Sequence, residues 1–345
     1  MMNDLNNFVQ YLRWSDSTLR CPLVWKIDYI RYLKDKAAPL VEQDKEIADA
    51  FRSFRDEELA VILFCPRVLW ALTQDTPHVT TRQEMLSEFF SHRARRLNQQ
   101  SSAANDSDES NHIQTHLSID GVTIDFESFF ELPGEFQSLA PAPTRRQETE
   151  YQRINSALME LQRAFPAVFA FVKDLTFRIA VRFRPDRPHF NLFGSFTEYP
   201  GTMLIVNPWR SKADDAQMIE AIVHENIHHA IAMFETVRHD LTPGLPASSA
   251  HKSPWTGNLL TCHQFVEACF VWWGLYQMWL NWPLASSVPE DRARALCDRS
   301  LKGFIARPAT ELVRELGTTT LPNDTTEALF AIEEAALQSR ERHAA

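Results

Sequence analysis

Residues 214–237 read DDAQMIEAIVHENIHHAIAMFETV, and this stretch decides the fold prediction. Its apolar residues recur at intervals of about 3.6 residues, which is the period of an amphipathic helix. The residues that share this spacing are Ile219, Ile222, Val223, Ile227, Ala230, Ile231 and Phe234. Asp214 and Asp215 supply negative charge where the dipole of a helix favours it, at the first turn. The sequence therefore predicts one long helix over about 214–237.

Within this helix, His224-Glu225-Asn226-Ile227-His228 forms an H-E-x-x-H motif. Residues four apart project from one face of a helix, so both imidazoles can reach one metal ion. The same pattern also arises by chance, and the two histidines would then belong to an ordinary solvated face. The helical context favours the metal site, with His224 and His228 as ligands.

A tight site needs a third ligand, and the next predicted helix offers two candidates. Metzincins require a Gly and then a third His after the motif; Ile231 and Phe234 occupy those positions and exclude that class. His263 and Glu267 lie four residues apart and would share one helix face. We expect His263 to complete a three-histidine site. The alternative is Glu267, which would give two histidines and a carboxylate, as in gluzincins and non-haem iron oxygenases.

The remaining sequence predicts a mainly α protein with a small β-sheet, an α+β fold with a zincin-like helix–sheet–helix metal site. Residues 1–100 are predicted to be helical, and the polar stretch 101–111 to be a flexible linker. Residues 112–345 would form the metal-binding catalytic region, either separate from the N-terminal helices or continuous with them. The other predicted elements are a hairpin within 113–126, a helix over 144–175 split near Pro166, strands at 177–183, 190–196 and 202–206, a loop over 240–258, and helices over 259–282 and 325–342.

Composition argues against several classes of partner. The net charge of -10, without a concentrated basic run, argues against nucleic acid. No uninterrupted apolar stretch reaches about 18 residues, so no membrane span is predicted. Five scattered cysteines without a C-x-x-C pair, together with the absence of a signal peptide, predict reduced thiols and a cytoplasmic location.

The order of motifs between Phe196 and Trp279 resembles that of the α-ketoglutarate-dependent H-E-x-x-H peptide β-hydroxylases. The matching motifs are Pro200-Gly201 before a strand, the H-E-x-x-H helix, Ser253-Pro254-Trp255 in the following loop, and His263 at the start of an aromatic-rich helix. The resemblance implies that His224, His228 and His263 bind Fe(II). It also implies α-ketoglutarate as co-substrate and hydroxylation of a β-carbon in a ribosomal precursor peptide or a peptide-like substrate.

The chain departs from this family just after Ser253-Pro254-Trp255, where the family usually carries arginines. Residues 256–258 read TGN instead. Another cation would then have to bind the distal carboxylate of α-ketoglutarate. The candidates are Lys252, which is nearest in sequence, and Arg238, with Arg210 and Arg299 as further alternatives.

Two other functions fit the same motif. In a zinc peptidase, Zn2+ would replace iron and Glu225 would act as the general base. Residues 202–206, as an edge strand beside the motif helix, would pair with an extended peptide under either enzymatic interpretation. The third possibility is a non-catalytic helical scaffold with a degenerate site. In a hydroxylase, Glu225 would orient a ligand or a metal-bound water.

Overall fold

The computed structural model describes residues 4–15, 20–42, 45–54, 56–64, 68–69, 72, 116–119, 121–126, 139–187, 192–195, 199–210, 214–246, 250–284, 286–317 and 320–344. The helices are α1 Asp4–Tyr11, α2 Cys21–Val41, α3 Lys45–Ser53, α4 Asp56–Leu63, α5 Thr144–Ala164, α6 Pro166–Leu175, α7 Asp215–Val237, α8 Cys262–Leu280, α9 Glu290–Ile305, α10 Pro308–Leu316 and α11 Asn323–Ala344. The strands are β1 His116–Ile119, β2 Val122–Asp125, β3 Ala140–Pro141, β4 Arg178–Phe183, β5 Leu192–Ser195, β6 Thr202–Val206, β7 Ala250–Lys252 and β8 Leu259–Thr261. The protein is mainly helical with a small sheet, as predicted.

The chain divides into two compact units, each assembled from separate segments. Unit 1 comprises Met1–Lys26, Glu148–Leu175 and Ser211–Ala345, and unit 2 comprises Ile27–Gln147 and Thr176–Arg210. The predicted linker at 101–111 lies outside the described residues. The domain boundary drawn there therefore stays a prediction.

Unit 2 contains a mixed sheet with the strand order β1-β2-β4-β6-β5, to which β3 adds by pairing with β4. Strands β1 and β2 form the predicted antiparallel hairpin, and Gly121 adopts a φ of 89° in its turn. Strands β2, β4 and β6 run parallel, and β5 is antiparallel to β6.

Strand β6 has the predicted bounds, but its predicted role as an edge strand is wrong. It pairs with β4 on one side and β5 on the other, and all five of its residues are buried. Met203–Val206 is an uninterrupted apolar run, which is typical of a strand that is covered on both faces. Because both ladders of β6 are occupied, an added peptide cannot pair with it.

A buried ion cluster ties β2 to β4 within this sheet. Asp125 is fully buried, and its Oδ2 lies 2.8 Å from Arg178 Nη1 and 3.7 Å from Arg182 Nη2. Arg182 is itself buried and donates to the Asp125 carbonyl over 2.9 Å. Burial lowers the pKa of Arg182, although Asp125 counteracts that effect.

In unit 1, local sequence signals set the ends of the predicted helices. The helix predicted over 144–175 is split as expected, because α5 ends at Ala164 and α6 begins with Pro166 at its first position. Helix α7 begins with a capping box, in which Gln217 N donates to Asp214 Oδ1 over 2.8 Å and Asp214 N donates to Gln217 Oε1. The motif helix thus begins and ends where the sequence predicted.

Helix α8 follows a short antiparallel hairpin, β7–β8, which lies partly inside the stretch predicted to be loop. The helix is closely packed against α7, because a Cβ at Gly274 would lie 2.6 Å from Ile227 Cδ1. The N-terminal segment completes this core: Trp14 Nε1 donates to the Gly274 carbonyl over 2.8 Å, and Trp273 Nε1 donates to the Val9 carbonyl over 3.0 Å.

No helix among the described residues is long and apolar enough to cross a membrane. The cysteines in the described part of the chain, Cys21, Cys262, Cys269 and Cys297, are free thiols.

Candidate metal centre

The two motif histidines face each other on adjacent turns of α7. Their Nε2 atoms lie 3.3 Å apart. Two nitrogens that bind one ion at about 2.0–2.1 Å with a tetrahedral angle lie about 3.3–3.4 Å apart. The side chains of His224 and His228 are 33% and 24% exposed, so solvent and a dissolved ion can reach them. The pair therefore fits two ligands of one metal ion.

The pKa values of the two histidines are shifted in opposite directions in the metal-free protein. Burial, the charge of His228 and the charge of Arg299 lower the pKa of His224 to about 3. Burial also acts against the charged form of His228, but the nearby carboxylates of Glu267 and Glu225 raise its pKa to about 9. At neutral pH the lowered pKa leaves His224 unprotonated, whereas His228 holds a proton that a bound metal ion would have to displace.

Glu225 lies next to this pair and is shielded from solvent. It is 5% exposed, and its Oε1 lies 3.9 Å from His224 Nε2. A carboxylate at this distance is close enough to accept a proton from, or to orient, a molecule bound beside the two histidines.

Glu267, on α8, lies between two histidines. Its Oε1 is 3.3 Å from His228 Nδ1, and its Oε2 is 3.5 Å from His263 Nδ1. Burial would raise the pKa of Glu267, but the interactions with His228 and His263 hold it below its usual range. Metal-binding histidines usually donate their second ring N–H to a carboxylate, and Glu267 occupies that position for His228.

His263 contacts Glu267 through one ring nitrogen and the end of α7 through the other. Its Nε2 lies 2.9 Å from each carboxylate oxygen of Glu235. The hydrogen bond to Glu235 is the largest of the causes that raise the pKa of His263 to about 9. Glu235, Asp240 and His263 form the one group of three potential ligands, among the described residues, whose ligand atoms all lie within 4.8 Å of one another. Neither His263 nor Glu267 joins His224 and His228 in such a group, and the third ligand stays a prediction.

An aromatic wall and a cation flank His224. The Trp272 ring meets the His224 ring edge-on, with centroids 6.4 Å apart. The guanidinium carbon of Arg299, on α9, lies 5.3 Å from the centroid of the same Trp272 ring. Trp255, from the Ser253-Pro254-Trp255 loop, stacks on Trp272 at 5.8 Å with an interplanar angle of 6°. This loop thereby contributes Trp255 to the pair of stacked indoles that lies beside His224.

Arg299 is held in place by Glu220, which lies one turn before His224. The two side chains form an ion pair, and Glu220 Oε2 also accepts a hydrogen bond from Trp279 Nε1 over 2.9 Å. Burial raises the pKa of Glu220, while Arg299 acts in the opposite direction.

The other predicted cations are farther from this arrangement or are otherwise engaged. Arg238, at the end of α7, forms an ion pair with Asp4 over 2.8 Å. Lys252 is an exposed residue of β7. The side chain of Arg210 lies outside the described residues. Among the candidates whose side chains the structure describes, Arg299 is the one that contacts the same aromatic ring as His224.

The sequence reasoning missed Glu220, Glu235 and Asp240. Glu220 is four residues before His224, and Glu235 is seven residues after His228, so the helical period placed both on the motif face. That spacing was the available signal. Asp240 lies in a loop and carried no such signal.

No protein-family model matches this chain, and no curated protein matches it.

Proposed function

We propose that this chain is an Fe(II)- and α-ketoglutarate-dependent hydroxylase that adds one oxygen atom to an unactivated carbon of a ribosomal precursor peptide or a peptide-like substrate. The observation that carries the proposal is that His224, one of the histidine pair, and a cation, Arg299, both contact the Trp272 ring. The order of motifs, which resembles that of the H-E-x-x-H peptide β-hydroxylases, supplies the reaction class.

The proposed iron ligands are His224 and His228, with His263 as the third ligand implied by the resemblance and Glu267 as the alternative. Bound iron and α-ketoglutarate would supply the oxidising chemistry. The protein would bind and orient the reactants and limit the access of water. The zincin-like site of the predicted fold would consist of the histidine pair on α7 and a third ligand from α8.

Arg299 is the proposed partner of the distal carboxylate of α-ketoglutarate, in place of Lys252 and Arg238. A guanidinium carries five N–H donors, so an ion pair with Glu220 leaves donors for a second carboxylate. Glu220 would hold the guanidinium in position before the co-substrate binds, and the Trp272 face would support it from one side. In this scheme Glu225 orients groups beside the ion and is not required as a base.

A zinc peptidase is the second candidate, and the position of Glu225 favours it. This carboxylate is buried and close to His224 Nε2. In a peptidase it would accept the proton of the attacking water. The two functions therefore differ in what they require of Glu225.

Anaerobically purified full-length protein should release succinate when supplied with Fe(II), α-ketoglutarate and O2. Glu225→Gln should retain much of this turnover, whereas the same change would abolish a peptidase. Glu311→Gln, which alters an exposed carboxylate on α10, serves as the matched control. Zinc-dependent peptide cleavage, lost in Glu225→Gln and unaccompanied by succinate, would establish the peptidase instead.

A further inference from the structure

A second group of metal-ligand types lies beside the proposed centre, where α7 ends and α8 begins. Glu235 is in the last turn of α7, Asp240 is in the loop that follows, and His263 is in the first turn of α8. Their ligand atoms all lie within 4.8 Å of one another. From this geometry we infer that Glu235, Asp240 and His263 bind a second divalent transition-metal ion.

The orientation of His263 supports this inference. Its Nδ1 lies 3.5 Å from Glu267 Oε2, and its Nε2 points to the Glu235 carboxylate at 2.9 Å. A carboxylate behind one ring nitrogen, with the other nitrogen turned toward further ligands, is the usual arrangement of a metal-binding histidine. His228 has the same arrangement, with Glu267 Oε1 behind its Nδ1 and His224 in front of its Nε2. One carboxylate thus orients two imidazoles, each toward a different set of ligands.

The two acidic ligands are held in position by the backbone. Glu235 Oε1 accepts a hydrogen bond from Leu241 N over 2.9 Å, and Asp240 Oδ1 accepts one from Thr242 N over 2.7 Å. The Thr242 hydroxyl also donates to Asp240 Oδ1, over 3.4 Å. Each carboxylate has a second oxygen to offer an ion. The loop 238–242 is therefore folded so that both side chains stay close to His263.

The ligand set also defines the kind of ion. One imidazole with two carboxylates suits Zn2+, Mn2+ or Fe2+ better than Ca2+, which takes oxygen ligands alone. Two carboxylate charges balance the charge of a divalent ion. Asp240 is exposed, so the ion can exchange with solvent. The inference shares Glu267 with the proposed metal centre. It moves His263, the third ligand that the resemblance implies, to the second ion, and it leaves His224 and His228 as the histidine ligands of the first.

Calorimetric titration of the chelator-stripped, full-length protein with Zn2+ tests the inference. We expect two ions per chain for the wild type and one for Asp240→Asn. The asparagine keeps the Oδ1 acceptor for Thr242 and removes one charge, so the loop should retain its fold. Asp215→Asn changes an exposed carboxylate in the first turn of α7 and is the matched control, with two ions expected.

His224→Ala separates this inference from the proposed function. If both sites exist, His224→Ala and Asp240→Asn should each lose one ion, and Glu267→Gln should weaken both sites by about 10- to 100-fold. If the proposed centre is absent, His224→Ala should change nothing while Asp240→Asn still loses one ion. The second site is overturned if the wild type binds one ion and Asp240→Asn retains it. It is also overturned if the wild type binds one ion and both His224→Ala and Asp240→Asn lose it.

Discussion

Gly303→Ala tests how Trp255, in the Ser253-Pro254-Trp255 loop, is held against helices α8 and α9. An ideal Cβ at position 303 would lie 2.1 Å from Trp255 Nε1, 2.2 Å from Cε2 and 2.4 Å from Cδ1. The indole has no flexible end that can move aside. It is fixed by donation from Nε1 to the Ser300 carbonyl over 2.8 Å, by the stack on Trp272, and by an edge contact with Phe304 at 5.0 Å. The added methyl group must therefore displace the indole or part of α9.

The expected effect is a loss of stability, although helix propensity alone predicts a gain. Alanine is favoured over glycine in a helix by about 1 kcal/mol. Against this, overpacking costs about 1–3 kcal/mol. The lost hydrogen bond from Trp255 to Ser300 costs about 1 kcal/mol. The net result is a decrease of about 1–3 kcal/mol in the free energy of unfolding.

Urea unfolding followed by tryptophan fluorescence measures this change, and Trp255→Leu supplies the matched background. With the indole removed, Gly303→Ala should be neutral or stabilising by up to about 1 kcal/mol. The double-mutant cycle should give a coupling energy of about 1–4 kcal/mol between the two positions. A Gly303→Ala variant that is more stable than the wild type, with no coupling to Trp255, would refute the reasoning.

Three further variants probe other contacts. Arg299→Met should raise the KM for α-ketoglutarate in succinate assays far more than Arg294→Met does. Arg294 lies on the exposed face of α9 and is the control. Equal effects of the two variants would show that Arg299 does not bind the co-substrate. Asp125→Asn should destabilise the protein by about 3–5 kcal/mol in urea unfolding, because it leaves the buried Arg182 charge without its anion; a change below about 1 kcal/mol would contradict this. Glu333→Gln should lower stability by about 1–3 kcal/mol, because the carboxylate accepts two backbone N–H bonds at the start of α10; an unchanged unfolding midpoint would rule out that role.

The elements that the sequence predicted best are those with local causes. Helix α7 was predicted over its whole length because an apolar period of about 3.6 residues and the acidic residues Asp214 and Asp215 lie within one short stretch. The division between α5 and α6 was predicted because proline has no N–H to donate within a helix and its ring clashes with the preceding turn, so Pro166 begins a new helix. The Asp120-Gly121 hairpin was predicted for a similar reason, since its turn requires a residue that tolerates positive φ.

What the sequence did not predict depends on contacts between distant segments. Residues 202–206 looked like any apolar strand, and only the pairing with β4 and β5 made β6 central. The contact between His263 and Glu235 likewise depends on the tertiary structure, because it joins the first turn of α8 to the last turn of α7. Arg299 became the leading cation because α9 carries it to Trp272, a neighbour that is 27 residues away in the chain.

Unit 1 is made of three separate segments, and this determines when helices α7 and α8 can pack during synthesis. Residues 1–26 leave the ribosome first, yet they complete a core whose other parts are residues 148–175 and 211–345. The Val9 carbonyl cannot accept its hydrogen bond until Trp273 has been made. In the same way, Asn6 Nδ2 cannot donate to Glu327 Oε2, 3.5 Å away, until residue 327 has been made. The helix that carries both motif histidines therefore gains its packed surroundings only after the segment that contains Trp273 and Glu327 has been made. Loss of α1 alone would leave α8 incompletely covered, and so would disturb the surroundings of a histidine pair more than 200 residues downstream.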